Sequence, residues 1–417
     1  MLEDLWSRFR NASPQLRLFL LGVCLMAASG GIFISILNNY LSDAYHLDAQ
    51  QRGFLEFPRE LPGFLVAVFA AGLFFLRLHS LAALTAFVTG LGIAGLGLIE
   101  GRSYPLMIVT LMVWSAGTHV SGPALASIAL GLSRKGREGT RLGQIGAIGS
   151  LAGIVGFLIV WIGMGRLHAT YRTTYLICAA LAVCSALAYV RLGDIPAQPS
   201  KRPKLVLKRR YGVYYILSVL FGARKQVFLT FGPWVLIKLF NRPPETFAKL
   251  GIANAVLSVL FQLQLGKLVD RFGERVVLVA DGLLLVLVCL AYGFPHSLGL
   301  GDKTVWVVYA NFVLDNLLFG DGLARTTYLD KIAERKEDVT ASLSVSVTLD
   351  HAVSMSIPML GGYVWQRWGP AQVFLGAAGL ALLSALTSTL IRVPKGAAPA
   401  LEERAEAAAL ATAQPRD

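Results

Sequence analysis

Residues 18–36 read LFLLGVCLMAASGGIFISI, nineteen positions without a charge. A helix needs roughly 20 mostly apolar residues to cross a bilayer, so this stretch is long enough to span one. Arg8, Arg10 and Arg17 precede it in the manner of a secretory leader. The run is longer than a leader's apolar core, however, and it opens a series, so it reads as a retained first helix. The spans fall at about 16–38, 53–76, 80–99, 104–132, 142–164 and 172–192, then at about 211–239, 246–269, 276–294, 304–324, 340–364 and 371–392. Apolar and polar residues do not alternate along them, which leaves helices rather than a closed barrel as the spanning structure. The sequence predicts an all-α membrane protein with twelve transmembrane helices in two six-helix bundles.

Composition points the same way. The chain is 55% hydrophobic and 15% charged, with a mean hydropathy of +0.60, too apolar for an ordinary soluble domain. Its 42 glycines suit close helix packing in lipid, where small residues let backbones approach. The net charge of +13 is concentrated in alternate loops. One side carries Arg77; Arg134, Lys135, Arg137 and Arg141; Arg191, Lys201, Arg202, Lys204, Lys208, Arg209 and Arg210; Lys267, Arg271 and Arg275; and Lys331, Arg335 and Lys336. The opposite loops carry only Arg52, Arg102, Arg166, Arg172, Arg242, Lys249, Lys303 and Arg367. By the positive-inside rule the first side is cytoplasmic, with both termini there, in a bacterial-type inner membrane. The basic balance therefore reports topology, and no nucleic-acid partner is expected. Cys24, Cys178, Cys184 and Cys289 all lie within apolar spans, where they act as small hydrophobes and form no disulfides.

The organisation predicted is a first half at 1–195, a cytoplasmic linker at 196–210, a second half at 211–394 and a tail at 395–417. The linker, PAQPSKRPKLVLKRR, is rich in Pro, Lys and Arg. The Ala/Glu-rich tail is either a short surface helix or disordered. The fifth span (143–161) and the eleventh (342–365) are both rich in Gly or Ser, follow a charged loop and end in an aromatic. Repeated six-helix halves are the mark of several transporter folds.

Between spans eight and nine stands Gly266-Lys-Leu-Val-Asp270-Arg271-Phe-Gly273-Glu-Arg275. It resembles the cytoplasmic loop signature G-x-x-x-D-R-x-G-x-R of the major facilitator superfamily, and the resemblance extends over about residues 15–392. In that reading Gly266 permits close helix contact and Gly273 the tight turn. Asp270 and Arg271, with Arg275, close a cytoplasmic gate against the start of the fifth helix, where Arg141 offers a charge. The plain alternative is a charged turn between helices. The equivalent first-half loop, Gly72-LFFLRLHS-Leu81, lacks the acidic residue and the second glycine. The fourth span lacks the arginine typical of drug–proton antiporters and the fifth lacks their Gly-Pro pair; the nearest match is Pro358 with Gly361 and Gly362 in the eleventh. A standard multidrug exporter is thereby disfavoured.

Ionisable groups deep in a membrane cost a few kcal/mol each and point to function. Counting along the spans places His119, Arg224, Lys225, Asp315, Asp350 and His351 near mid-depth. Asp315 and Asp350 are the only acids so placed in the second half, and Arg224 and Lys225 the only bases. The superfamily resemblance implies that their four helices line one cavity. Arg224 and Lys225 point about 100° apart, so at least one is expected to meet an anionic substrate; the alternative is an ion pair with Asp315 or Asp350. Asp315 is a proton carrier or the partner of Arg224. Asp350 and His351 match a proton-transfer pair in composition, and His119 is a ligand or a helix–helix contact. Glu56, Arg59 and Glu60 share one helical face and can pair, serving as an outer gate, a substrate site or an interfacial salt bridge, with Pro58 and Pro62 bending the helix. Asp321 and Arg325 read as an inner-gate or structural pair. Asn311, with Asn38, Asn39, Gln144, Gln226, Asn254, Gln262 and Asn316, adds polar groups within the spans.

No Walker loop, Gly-x-Ser-x-Gly elbow, HExxH or zinc-type Cys/His spacing occurs in the sequence, so ATP-driven pumping, the common hydrolases and a bound cofactor find no support. The leading expectation is a monomeric, proton-coupled secondary transporter of a small organic anion. Arg224, Lys225, Arg59, His119 and Asn311 would meet the substrate, while Asp315, Asp350, His351 and Glu56 would handle protons. The alternatives are efflux of cationic or amphipathic compounds, a transition-metal transporter using two histidines and two aspartates, and a non-transporting receptor on the same fold.

Overall fold

Ser13 starts the first helix by accepting the Leu16 N–H at 3.2 Å, with Pro14 in the first turn, where its missing N–H costs nothing. The computed structural model describes residues 12–393 apart from residue 74, residues 134–136 and residues 196–206. Arg8, Arg10, Arg134, Lys135, most of the basic linker and the 395–417 tail lie outside the described residues. Helix α1 is Pro14–Tyr45. The second apolar stretch is divided into α2 (Ala49–Phe54), α3 (Glu56–Phe64) and α4 (Val66–Gly72), with Pro62 inside α3. A capping box of Asp48 and Gln51 opens α2. Then follow α5 (Leu78–Ile99), α6 (Tyr104–Gly131), α7 (Glu138–Gly163) and α8 (Tyr171–Val190).

After the linker come α9 (Gly212–Lys238) and α10 (Pro244–Gly293). The latter is one run broken at Gly273, whose φ of 78° and ψ of 161° are non-helical. Only glycine takes that conformation without strain, and it separates the two spans read at 246–269 and 276–294. Next are α11 (Thr304–Leu318), a 3-10 turn at Phe319–Asp321, α12 (Gly322–Ile332), α13 (Lys336–Trp368) and α14 (Pro370–Ser388). No strand occurs among the described residues. Among the described residues, seven helical stretches are long and apolar enough, by length and composition alone, to cross a membrane. Those outside this set include the divided second stretch and α9, which carries Arg224 and Lys225.

Before the linker α1 packs on α7 and α8, and α5 on α6 and α8. After it α9 packs on α13 and α14, and α10 on α11 and α14. The Gly- or Ser-rich helices α7 and α13 thus each lie against the first helix of their own set. The two sets meet where α2 and α3 touch α13 and where α7 touches α10.

These contacts are uneven along the molecule. At the end away from Lys208 and Arg335, the Gly53 backbone abuts the Pro358 carbonyl, and a Cβ on Gly362 would stand 2.5 Å from the Ala49 carbonyl oxygen. A Cβ on Gly251 would stand 2.6 Å from the Phe157 ring. Towards the basic end, positions 143, 146 and 266 face open space. Between lies a cavity of about 1230 Å³, walled by Gly30 and Ile34 of α1, Gly146 and Gly153 of α7, and Asn254 and Gln262 of α10. Phe319 and Gly320 complete it.

Candidate functional site

Beside this cavity a chain of charged side chains runs between the two sets of helices. Asn38 on α1 accepts from Arg52 Nε at 3.0 Å, and Arg52 reaches Glu56 at 2.5 Å. Glu56 is 1% exposed, and a burial that deep requires partners for a carboxylate. It has three: Arg52, Arg59 through Nε at 2.6 Å, and Gln226 of α9, which donates at 2.6 Å from the other helix set. Arg59 also reaches Glu60 at 2.5 Å. The expected i, i+3 and i+4 pairing on α3 is therefore present, and Ser115 of α6 donates to the Arg59 carbonyl.

Glu60 extends the chain across the interface, its Oε2 lying 2.9 Å from His351 Nδ1 on α13. The His351 ring stands edge-on to that of His119 on α6, with centroids 4.9 Å apart. Gly63 makes room for both, since a Cβ there would fall 2.6 Å from His351 and 2.9 Å from His119. Next to His351, Asp350 pairs with Lys225 at 2.5 Å, both side chains about a quarter exposed at 21% and 24%. Arg52, Glu56 and Arg59 also border a pocket of about 360 Å³ that contains Thr118 and the stacked rings of Phe33 and Trp114, 4.0 Å between centroids.

Arg224 turns the other way. It faces Asp281 at 3.5 Å and donates to the Leu318 carbonyl at 3.3 Å, between the rings of Phe221 and Phe319. Asp321 and Arg325 sit 3.6 Å apart on the same side. Asp315 is 2% exposed, and its Oδ1 has no hydrogen-bond partner among the described residues. Asn311, one turn earlier, is also buried with its amide nitrogen unpartnered there. This region thus holds three buried carboxylates and two guanidiniums.

The loop signature lies apart from both groups. Asp270, Arg271 and Arg275 are exposed at the basic end and make no ion pair among the described residues. Arg141 hydrogen-bonds Gln144 in its own helix at 3.1 Å. The residue next to Gly273, Glu274, does pair, with Lys331 at 2.6 Å.

Sequence reasoning had set Arg52 in a loop and Asp281 outside the mid-depth group. The i, i+4 spacing of Arg52 and Glu56 was a usable signal for the first. For Asp281 no signal existed, because its importance comes from Arg224 on another helix. Glu60 and Gln226 were visible as polar groups but not as links between the two sets.

The family model of the Major Facilitator Superfamily matches residues 18–337. No curated protein matches the chain. Among solved structures, the nucleoside transporter NupG is similar with a TM-score of 0.71 at 16% identity, covering 90% of this chain and 98% of that one. A bacterial homologue of the iron transporter ferroportin, in its inward-facing state, has a TM-score of 0.73 at 12% identity, covering 90% and 100%. A D-xylose–proton symporter has a TM-score of 0.66 at 14% identity, covering 91% and 97%. At these identities the likeness is one of fold.

Proposed function

The chain belongs to the Major Facilitator Superfamily, a family of transporters rather than enzymes, and from that premise we propose that it moves a small organic anion across a bacterial-type inner membrane by proton-coupled alternating access. The apolar segments then form twelve spans in two bundles of six, divided by the 196–210 linker, with both termini on the cytoplasmic side. One observation carries the transport reading: the 1230 Å³ cavity between the two helix sets is shut by backbone contact at one end and open towards the basic end. That is the arrangement of an inward-facing carrier.

The exposed side of the central network supports an anion as cargo. Arg59 and Lys225 are 16% and 24% exposed, whereas Glu56 and Glu60 lie deeper at 1% and 8%. An anion binds by taking Lys225 from Asp350. Efflux of a cation has less support, because Asp350 already faces a lysine. Proton coupling rests on the second group. Three carboxylates against two guanidiniums leave one uncompensated negative charge in a low-dielectric interior, a state that a bound proton relieves. Asp281 pairs with Arg224 and Asp321 with Arg325, whereas Asp315 makes no ion pair among the described residues; it is the carboxylate assigned that proton. Helix α9 links the two events, since it carries Lys225 towards the cargo and Arg224 towards the carboxylates.

A thermal-shift screen of the purified protein against organic acids, amines and sugars tests the cargo class. Stabilisation by an organic acid, weakened at least about ten-fold in affinity by Lys225→Ala, is the expected result. Stabilisation by amines alone overturns the anion assignment.

A further inference from the structure

Three side chains at the junction of the two helix sets belong to the residue types that bind transition metals. Glu60, His119 and His351 each offer one ligand atom, and these atoms all lie within 4.8 Å of one another. They come from three different helices, α3, α6 and α13. We propose that Glu60, His119 and His351 form a binding site for a divalent transition-metal ion of the zinc or iron(II) class.

Two imidazoles and one carboxylate, with a position left for water or a further ligand, are a donor set that suits such ions. The spacing fits as well. Ligand atoms each about 2.1 Å from a tetrahedral ion stand roughly 3.4 Å from one another, and the Glu60 Oε2 to His351 Nδ1 separation is 2.9 Å. Opening that contact by about half an ångström, while the wider separations within the 4.8 Å bound draw in towards the same value, admits the ion. Gly63 leaves the space beside both imidazole rings that any side chain there would fill.

The surroundings support the carboxylate ligand. Arg59 holds the other oxygen, Oε1, at 2.5 Å, so Oε2 stays aimed at the histidines; carboxylates that ligate metals are commonly fixed in this way. Of the two cations nearby, Lys225 is matched by Asp350, and Arg59 shares Glu56 with Arg52, which limits their repulsion of a dication.

The ion would join α3 and α6 of the first set to α13 of the second. That is the interface closed here by Gly53 and Gly362 against their neighbours, so the bound ion holds the inward-facing arrangement. The inference goes beyond the transport reading and needs no knowledge of the cargo, because metal binding is measured alone.

Co²⁺ serves as the probe, titrated into the purified full-length protein and followed by its visible absorption and by equilibrium stoichiometry. One saturable ion per chain is expected, with affinity lowered at least about ten-fold in His119→Gln, His351→Gln and Glu60→Gln and unchanged in His46→Gln, an exposed control. Co²⁺ should also raise the melting temperature of the wild type and leave that of His119→Gln/His351→Gln unmoved. Melting of each variant without metal verifies that it is folded. If the double variant is folded and binds Co²⁺ as the wild type does, or if the wild type shows no saturable binding, the assignment is wrong.

Discussion

Arg224 and Lys225 are sequence neighbours about 100° apart on α9, and they meet different partners: Asp281 for the first, Asp350 for the second. Removing Arg224 leaves three buried carboxylates with one guanidinium, so Arg224→Ala should destabilise the protein by about 3–5 kcal/mol, read as a fall in melting temperature or midpoint denaturant. Lys225→Ala, at a pair about a quarter exposed, should leave melting nearly unchanged and weaken anion binding. Similar losses of stability in both variants would contradict this division. At the basic end Lys208 bonds Asp338 and Glu334 at 2.6 and 2.9 Å. The hydrogen bond from Lys208 holds the Glu334 carboxyl below its ordinary range, and the bonds to Asp338 and Glu334 push the Lys208 ammonium above its own. The Glu334 contribution is present above the unfolded value near 4.3 and is lost as pH falls through the lower folded value. The Lys208 contribution is complete below about 10.4 and is lost as pH rises through the higher folded one. Melting measured between these limits should therefore be flat for this clip, and Lys208→Met should flatten the falls at both extremes. Of the site, the Glu56–Arg59–Glu60 face was legible because it follows from helical spacing. The Glu60–His351 and Arg224–Asp281 contacts were not, because nothing local encodes which helices become neighbours.

Among the elements, α2 and α13 meet through glycine and carbonyl rather than through side chains. A β-branched side chain cannot fit there without separating the helices, and separating them opens the end that is closed here. Gly362→Val should shift the population away from the inward-facing arrangement, with greater labelling of a cysteine at Asn39 from the opposite side. Labelling equal to that of the parent would show that this contact does not control closure. The apolar stretches could be read from sequence because hydropathy is a property of each segment alone. The division of the second stretch at Leu55 and Leu65 was only partly readable: Pro58 and Pro62 announced a bend, while the position of each break depends on how α3 fits between α6 and α13. Gly273 was readable, since a glycine between two apolar runs marks a turn, and its positive φ supplies one.

For the whole molecule, the proposed topology places Arg209 and Leu300 on opposite faces of the membrane. Cysteines substituted at each, in a background lacking the four native ones, should react with an impermeant reagent from opposite sides; reaction from one side only would overturn the arrangement. The central claim is that transport and proton movement are joined through one buried carboxylate, with α9 carrying Lys225 to the anion and Arg224 to Asp281 and Asp315. The direct test uses proteoliposomes and the organic acid identified by the ligand screen, comparing wild type with Asp315→Asn for accumulation driven by a pH gradient and for counterflow without one. The account predicts that Asp315→Asn loses gradient-driven accumulation while retaining counterflow, which needs no net proton movement. Accumulation by Asp315→Asn with the pH dependence of the wild type would contradict it.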